Sequence, residues 1–195
     1  MRRRFAGQIL FTILLVSACS ASAPQFKTTD ISTVEWGKDF VLTTHTGERK
    51  RLSDFKGKPV ILFFGYTNCP DICGPTLAKL AEVMKKLNAT ANQAQVIFIS
   101  VDPAHDTPPQ LAKFVTAFDP HFIGMTGTPA EIAVVTQDYK IATQQKAAPT
   151  GAASIEHSGG AFIIDRKGKL RLYIKEATPV ADIVHDLRLL LKENA

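Results

Sequence analysis

The sequence predicts an α/β fold in which helices flank a central mixed sheet, with a β-hairpin and a helix at the C-terminal end. Two continuous apolar runs, Val60–Phe64 and Val96–Val101, are typical of strands buried on both faces. Helical periodicity follows each run, and this alternation of strand and helix implies parallel pairing. Two later strand-like segments flank the turn at 165–168, which indicates an antiparallel hairpin.

The first half of the chain supplies the elements in simple order. Asp39–Thr43 is a short predicted strand, and Thr46-Gly47 is the turn after it. The buried run that begins at Val60 follows. A helix comes next, with Pro75 in its first turn, because apolar residues recur at helical spacing at Leu77, Leu80, Ala81, Met84 and Leu87.

Three later helices share one start signal, a threonine followed by a proline. Threonine caps a helix well, and proline is tolerated at the first helical position. The pairs stand at 107–108, 128–129 and 178–179, and Glu131 completes a capping box for the second. The hairpin strands are predicted at 161–164 and 170–174. A thioredoxin-like fold has this plan, and other α/β folds could share it.

The stretch between Ile141 and Gly160 is rich in Ala, Gly, Gln and Ser and shows no periodicity. We predict a long loop there. Loops of that length inside a compact domain often carry function.

The first residues have the pattern of an export signal. Arg2–Arg4 precede an uncharged stretch, Phe5–Ala18, that is short for a membrane span. The string Val16-Ser17-Ala18-Cys19 resembles the lipobox of bacterial lipoproteins, in which the cut falls before a lipidated cysteine. We therefore predict a lipoprotein-type signal peptide at 1–18, a tether at 19–36 and one domain at 37–195. An ordinary signal peptide or an uncleaved anchor is the alternative.

The positive charge of the chain belongs largely to this leader. The formal net charge is +5, and removal of 1–18, which holds three arginines and no acid, leaves +2. The remaining basic residues are scattered among acidic ones, without a basic stripe. A role in nucleic-acid binding has no support.

The cysteines mark the candidate site. Apart from Cys19, the chain has only Cys69 and Cys73, at the turn between a buried strand and its helix. A helix N-terminus favours anions, so at least one thiol should have a lowered pKa. Pro70 should hold Cys69 extended and outside the helix. The spacing suits a disulfide or one metal ion better than two inert buried thiols.

The spacing also narrows the chemistry. Thioredoxin-type oxidoreductases have two residues between their cysteines, whereas this chain has three. Peroxiredoxins have a threonine three positions before the reactive cysteine, whereas Thr67 is two positions before Cys69, so that match fails. Structural zinc usually takes four protein ligands, whereas thiolates with an imidazole suit copper. The candidate histidine is His157, which ends the long loop, and His105 is a minor alternative. Structural or solvated positions are expected for His45, His121 and His185.

Several strings together resemble the Sco/SenC family of copper-binding proteins needed for cytochrome c oxidase assembly. They cover roughly residues 38–190 and are Phe64 to Cys73, Ile99 to Pro103, Asp106 to Pro108, Phe118 to Pro120, Phe122 to Gly124, and Glu156 to Ser158. The resemblance implies an exported, membrane-tethered, thioredoxin-like protein. It also implies copper, as Cu(I), Cu(II) or both, held by Cys69, Cys73 and His157.

The chain departs from the family pattern at Asn68, Gly74 and Glu156, where His, Pro and Asp are usual. None of these changes removes a ligand. The resemblance further implies that Asp102 and Asp106 surround the copper site or contact a partner. As an alternative, Asp106 and Thr107 would only cap the next helix.

The function implied is that of a copper metallochaperone rather than an enzyme. The protein would be anchored to the membrane by a lipid on Cys19, with its domain facing the bacterial periplasm or the cell exterior. It would deliver copper to the CuA site of cytochrome c oxidase subunit II, with other periplasmic copper carriers as further partners. The alternative is a thiol–disulfide reductase that uses Cys69 and Cys73 to keep the CuA cysteines reduced. A copper-sensing or redox-signalling role is the third hypothesis.

Overall fold

The computed structural model of the chain describes residues 25–88, 93–146, 154–157 and 160–193, with 143–146 and 154–157 described as backbone. The predicted signal peptide and Cys19 lie outside these ranges. In the part of the chain that is described, none of the helices combines the length and apolar character needed to cross a membrane.

Strands and helices alternate along most of the described chain. The strands are β1 (Thr29–Asp30), β2 (Val41–Thr44), β3 (Arg49–Arg51), β4 (Val60–Gly65), β5 (Gln95–Ser100), β6 (Ile123–Thr126), β7 (Thr143–Lys146), β8 (Ser154–His157), β9 (Ala161–Ile164) and β10 (Leu170–Ile174). The α-helices are α1 (Cys73–Leu87), α2 (Pro108–Thr116), α3 (Pro129–Asp138) and α4 (Val180–Lys192), and a short 3-10 helix spans Leu52–Phe55.

The main sheet is mixed, in the order β1-β10-β9-β4-β5-β6-β2-β3, and β7 and β8 form a separate pair. Strands β4, β5 and β6 are parallel, while β9 is antiparallel to β4 with Ala161 opposite Phe63. The ends of β4 and β5 and the start of β9 therefore meet at one edge, which we call the cysteine edge. The predicted mixed sheet and hairpin are confirmed.

Both faces of the central strands are buried, as their continuous apolar sequence requires. Side chains alternate along β4, so Ile61 and Phe63 face a cluster that includes residues of α1, α2 and α4. Leu62 and Phe64 face a second cluster that includes Tyr139 and other aromatic residues. Each of these buried side chains stabilises the fold by roughly 1.5–3 kcal/mol.

Two of the three predicted helix starts are confirmed. Thr107 and Thr128 precede prolines at the first helical positions, and the Thr128 Oγ1 atom accepts from the Glu131 amide at 3.2 Å. The third start is one residue later than predicted. Pro179 has an extended backbone and precedes the helix, and its carbonyl accepts from the amides of Asp182 and Ile183.

The described part of the predicted tether, residues 25–36, packs against the domain. Strand β1 pairs with β10, and the amides of Lys27 and Thr28 donate to the carboxylate of Asp186 in α4. Trp36 meets Phe162 edge to face, with ring centroids 5.8 Å apart. These polar-rich residues have partners far along the chain, which no local pattern reveals.

The prediction of a structureless loop between Ile141 and Gly160 was wrong in part. Strands β7 and β8 pair antiparallel within it, with Thr143 opposite His157. Their sequences, TQQK and SIEH, lack the apolar alternation by which a strand is recognised. His157 is thus the last residue of a strand rather than a loop residue.

Candidate metal centre

Cys69 and Cys73 lie in the turn that joins β4 to α1. The Cys69 amide donates to the Tyr66 carbonyl at 3.2 Å, and α1 begins at Cys73. Cys69 is therefore outside the helix, as predicted from Pro70. Cys69 is partly exposed and Cys73 is fully buried, and neither forms a disulfide.

The two thiols differ in their acidity. Partial burial raises the pKa of Cys69, but hydrogen bonds from the amides of Asp71, Cys73 and Ile72 and from the Cys73 thiol outweigh it, so the pKa is lowered. Burial raises the pKa of Cys73 far above its usual range, and the negative charges of Cys69 and Asp106 add to this. The arrangement favours a Cys69 thiolate that accepts a hydrogen bond from a Cys73 thiol, as expected at a helix N-terminus.

Strand β8, which ends at His157, comes shortly before β9 in the chain. Strand β9 begins at Ala161, opposite Phe63 near the end of β4. His157 is four residues before Ala161, so its Cα lies within about 14 Å of that of Ala161. The chain therefore limits how far the His157 backbone can lie from the start of β9, at the cysteine edge.

The minor candidate His105 also lies near this edge, in the loop after β5. Its Nδ1 atom is 2.8 Å from a carboxylate oxygen of Asp102, and the imidazole is largely exposed. The hydrogen bond to Asp102 and the charge of that carboxylate raise the pKa of His105. His105 is thus engaged with Asp102.

The other three histidines contact residues outside the cysteine turn, in keeping with the structural or solvated positions expected for them. His45 accepts from the Gly124 amide, and His121 and His185 contact neighbouring aspartates. Among the described side chains, no three His, Cys, Asp or Glu residues form a group able to hold a metal ion.

Asp102 and Asp106 occupy different positions. Asp106 is buried, and its carboxylate accepts from Thr67 and Ser100. Thr107 instead pairs with Gln110 of α2, so the helix start does not use the Asp106 side chain. The sequence did not single out Thr67 or Ser100 as contacts of this aspartate, because only tertiary packing brings them together.

The donor chemistry of the cysteine pair fits copper. Two sulfurs close enough to share a hydrogen bond can bind one soft ion, and an imidazole is a common further ligand for copper in either oxidation state. Of the predicted ligands, the structure brings Cys69 and Cys73 together, and the side chain of His157 lies outside the described residues.

Known proteins resemble this chain over most of its domain. The family model SCO1/SenC matches residues 28–192. The mitochondrial SCO2 homolog of Bos taurus is 34% identical over 155 residues, which are 77% of this chain and 58% of that protein. The chain thus spans less than two thirds of the length of this relative.

Solved structures give the same result. The copper-bound structure of Bradyrhizobium japonicum ScoI aligns with a TM-score of 0.75 at 34% identity, over 80% of this chain and 99% of that one. BsSco belongs to the Sco family of cytochrome c oxidase assembly proteins, and a disulfide switch was identified in it. It aligns with a TM-score of 0.67 at 25% identity, over 88% of this chain and 98% of that one.

Proposed function

This chain belongs to the SCO1/SenC family, and on that premise we propose that it binds copper and acts in cytochrome c oxidase assembly. The observation that carries the proposal is the hydrogen-bonded pair of Cys69 and Cys73 at a strand-to-helix turn. A soft metal ion prefers such a pair of sulfur ligands.

In the proposed mechanism, Cys69, Cys73 and His157 hold copper as cargo. Binding requires Cys73 to lose the proton that burial favours, so copper uptake releases protons and strengthens with pH. Cys69 is the more exposed sulfur, so a ligand from a partner replaces it first. Movement of the β7–β8 hairpin presents or withdraws His157. The acceptor we propose is the CuA site of oxidase subunit II, with other periplasmic copper carriers as donors.

Copper titration tests this ligand set. Wild type, Cys69→Ser, Cys73→Ser and His157→Ala are titrated with Cu(I) against a competing chelator and with Cu(II) by absorbance. Removal of a residue that only hydrogen-bonds to a metal ligand typically weakens metal binding by roughly 10- to 100-fold. Because these three residues are proposed as the ligands themselves, we expect each variant to lose more copper affinity than that. His105→Ala is the matched control and should bind as wild type. Unchanged affinity and spectrum in His157→Ala would overturn the three-ligand model.

A second function, thiol–disulfide reduction of the CuA cysteines, draws support from the unequal acidity of the two thiols. A Cys69 thiolate would attack a disulfide of subunit II, and the thiol of Cys73 would then resolve the mixed disulfide. The Cys73→Ser variant should therefore trap a mixed disulfide with the oxidised CuA domain. This function needs no His157, so normal oxidase assembly in His157→Ala would favour it over delivery of copper.

We further propose that the protein is exported and anchored by a lipid on Cys19. The string Val16-Ser17-Ala18-Cys19 is the support for this proposal. Metabolic labelling with an alkyne fatty acid should mark the wild type and not Cys19→Ala. Absence of label in both would leave an ordinary signal peptide as the better explanation.

A further inference from the structure

A buried carboxylate connects the cysteine turn with the neighbouring loop. Asp106, in the loop between β5 and α2, is 1% exposed. Its carboxylate accepts from the Thr67 amide at 3.0 Å, from Thr67 Oγ1 at 2.5 Å and from Ser100 Oγ at 2.6 Å. Thr67 is two residues before Cys69. The same side chain is therefore bonded to the turn that carries the first cysteine.

The loop around Asp106 is itself tied to the ends of the two central strands. Ser100 is the last residue of β5, and its Oγ atom accepts a hydrogen bond from the Asp102 amide at 3.0 Å. The amide of Val101, which lies between them, donates to the carbonyl of Gly65 at the end of β4. The Asp106 amide donates to the Asp102 carbonyl at 2.9 Å. The turns after β4 and β5 are thus joined through one carboxylate.

Nothing in the helix that follows requires this arrangement. Thr107 is paired with Gln110 at the start of α2, and within the described part of the chain Asp106 forms no ion pair with Lys or Arg. A buried charge is costly unless it is well hydrogen-bonded, and two of the three donors here belong to Thr67. The energetics of this group therefore depend on the conformation of the cysteine turn.

We propose that Asp106 is the positioning residue of the dithiol turn, holding Thr67 so that Cys69 stays in reach of Cys73. It touches neither copper nor a partner in this role. Loss of its carboxylate loosens the turn, lowers the effective concentration of one sulfur near the other and so disfavours the disulfide. The consequence for copper rests on the proposed function, whereas the consequence for the metal-free thiols does not.

Four variants separate the contributions. Asp106→Ala removes all three acceptor contacts, and Asp106→Asn retains one carbonyl oxygen in nearly the same shape. Thr67→Val removes only the hydroxyl donor. Asp119→Asn is the matched control, because Asp119 also accepts from an amide and an imidazole of His121 but precedes β6 at the opposite edge of the sheet.

The first measurements use the metal-free protein. Hydrogen exchange at the Thr67 amide should be at least about tenfold faster in Asp106→Ala than in wild type. The protein is also equilibrated with a glutathione buffer, in which its two thiols give two protons and two electrons to oxidised glutathione. The equilibrium constant for forming the Cys69–Cys73 disulfide should be about tenfold smaller in Asp106→Ala than in wild type. For a two-electron couple this is an upward shift of about 30 mV in the reduction potential. Asp119→Asn should change neither quantity.

Circular dichroism and Trp36 fluorescence establish which variants are folded. If Asp106→Ala is not folded, Thr67→Val decides the matter, with an expected shift of about threefold, or about 14 mV. The proposal would be overturned if a folded Asp106→Ala variant kept the wild-type hydrogen-exchange rate at the Thr67 amide and the wild-type reduction potential. If Asp106→Ala is not folded, a wild-type reduction potential in Thr67→Val would overturn it instead. Equal shifts in Asp119→Asn would also overturn it, because they would reflect general destabilisation.

Copper titration then separates this proposal from the proposed function. If wild type binds copper, Asp106→Ala should bind it at least about tenfold more weakly, and Asp106→Asn should lie between. If wild type binds no copper through Cys69 and Cys73, the proposed function fails, while the shifts in exchange and potential still support Asp106 as the positioning residue. Wild-type copper affinity in a folded Asp106→Ala would contradict the role of Asp106 at the metal site.

Discussion

The sulfur of Cys73 occupies the space into which any side chain on Gly65 would project. A Cβ atom at Gly65 would lie 2.5 Å from Cys73 Sγ and 2.8 Å from Cε2 of Phe98. Because Gly65 ends β4 and Cys73 begins α1, this contact determines how closely the helix approaches the strand. The buried thiol therefore depends on the absence of a side chain at Gly65.

Gly65→Ala should displace Cys73 and destabilise the fold. Added volume in a closely packed site typically costs about 1–3 kcal/mol. We expect a loss of that size in urea unfolding and a weaker copper complex. Gly74→Ala is the control, because a Cβ atom at Gly74 meets nothing within 4 Å. Similar copper affinity in the two variants would contradict the importance of this packing.

The two thiols should react at different rates and with different pH dependence. Amides of the turn lower the pKa of Cys69 despite its partial burial, while burial raises that of Cys73. Only the thiolate is nucleophilic, so iodoacetamide at pH 7 should modify Cys69 at least about tenfold faster. The Cys69 rate should rise through a midpoint below pH 9, with Cys73 still slow there.

Site-resolved mass spectrometry of the reduced, metal-free protein gives both rates. In Cys69→Ser, the remaining thiol of Cys73 should stay slow, since its burial persists. Comparable modification of both cysteines in the wild type would show that the turn does not distinguish them.

Gly160→Ala should disturb the start of β9 without altering the cysteine turn. Gly160 has φ +136°, and a Cβ atom there would lie 2.6 Å from Tyr173 Cζ and 2.8 Å from the Ile174 carbonyl oxygen. Backbone strain of this kind costs about 1–3 kcal/mol. Because Gly160 is three residues after His157, copper binding should weaken while alkylation of Cys69 stays unchanged.

Gly168→Ala is the matched control for strain. Gly168 also has a positive φ, of +84°, but lies in the turn between β9 and β10, where a Cβ atom would meet only the flexible side chain of Lys56, at 3.2 Å. We expect lower stability with unchanged copper affinity. An equal loss of copper binding in both variants would mean that stability alone governs the site.

Asp186 should anchor the segment before β1. Its carboxylate is fully buried and accepts from the amides of Lys27 and Thr28 and from the Thr28 hydroxyl. Asp186→Ala leaves these donors without their acceptor and should cost about 2–4 kcal/mol in denaturant unfolding. Asp182→Asn, which affects only the exposed ion pair with the Lys27 ammonium, should cost less than about 1 kcal/mol.

The contribution of Asp186 should also depend on pH. Burial raises its pKa, but the hydrogen bonds from His185, Lys27 and Thr28 outweigh this, so the pKa is lowered from 3.8. The stabilisation is therefore complete above about pH 4 and is lost as the pH falls through the lower, folded-state pKa. The stability difference between wild type and Asp186→Asn should shrink below pH 4. A constant difference down to pH 2 would contradict this assignment.

Local signals in the sequence determined the central elements and the position of the dithiol. The apolar run from Val60, the helical spacing after Pro75 and the Thr-Pro pairs each depend on neighbours within a few residues, which is why the central strands and helices could be predicted. The cysteine spacing and the strings around Cys69 and Cys73 likewise indicated the family. Strand β3, with the sequence RKR, and the hairpin of β7 and β8 were not predicted, because their polar sequences have no apolar alternation.

Tertiary structure decided how distant residues support these elements. The bonds of Asp106 to Thr67 cross 39 positions, and those of Asp186 to Thr28 cross 158. A carboxylate has the same local sequence signature whether it caps a helix, faces solvent or accepts three buried hydrogen bonds. Tertiary contacts, among them the pairing of β4 with β5 and of β1 with β10, bring the donors to these two aspartates. For that reason the sequence indicated the candidate cysteines, and the fold revealed the distant hydrogen bonds of Asp106 and Asp186.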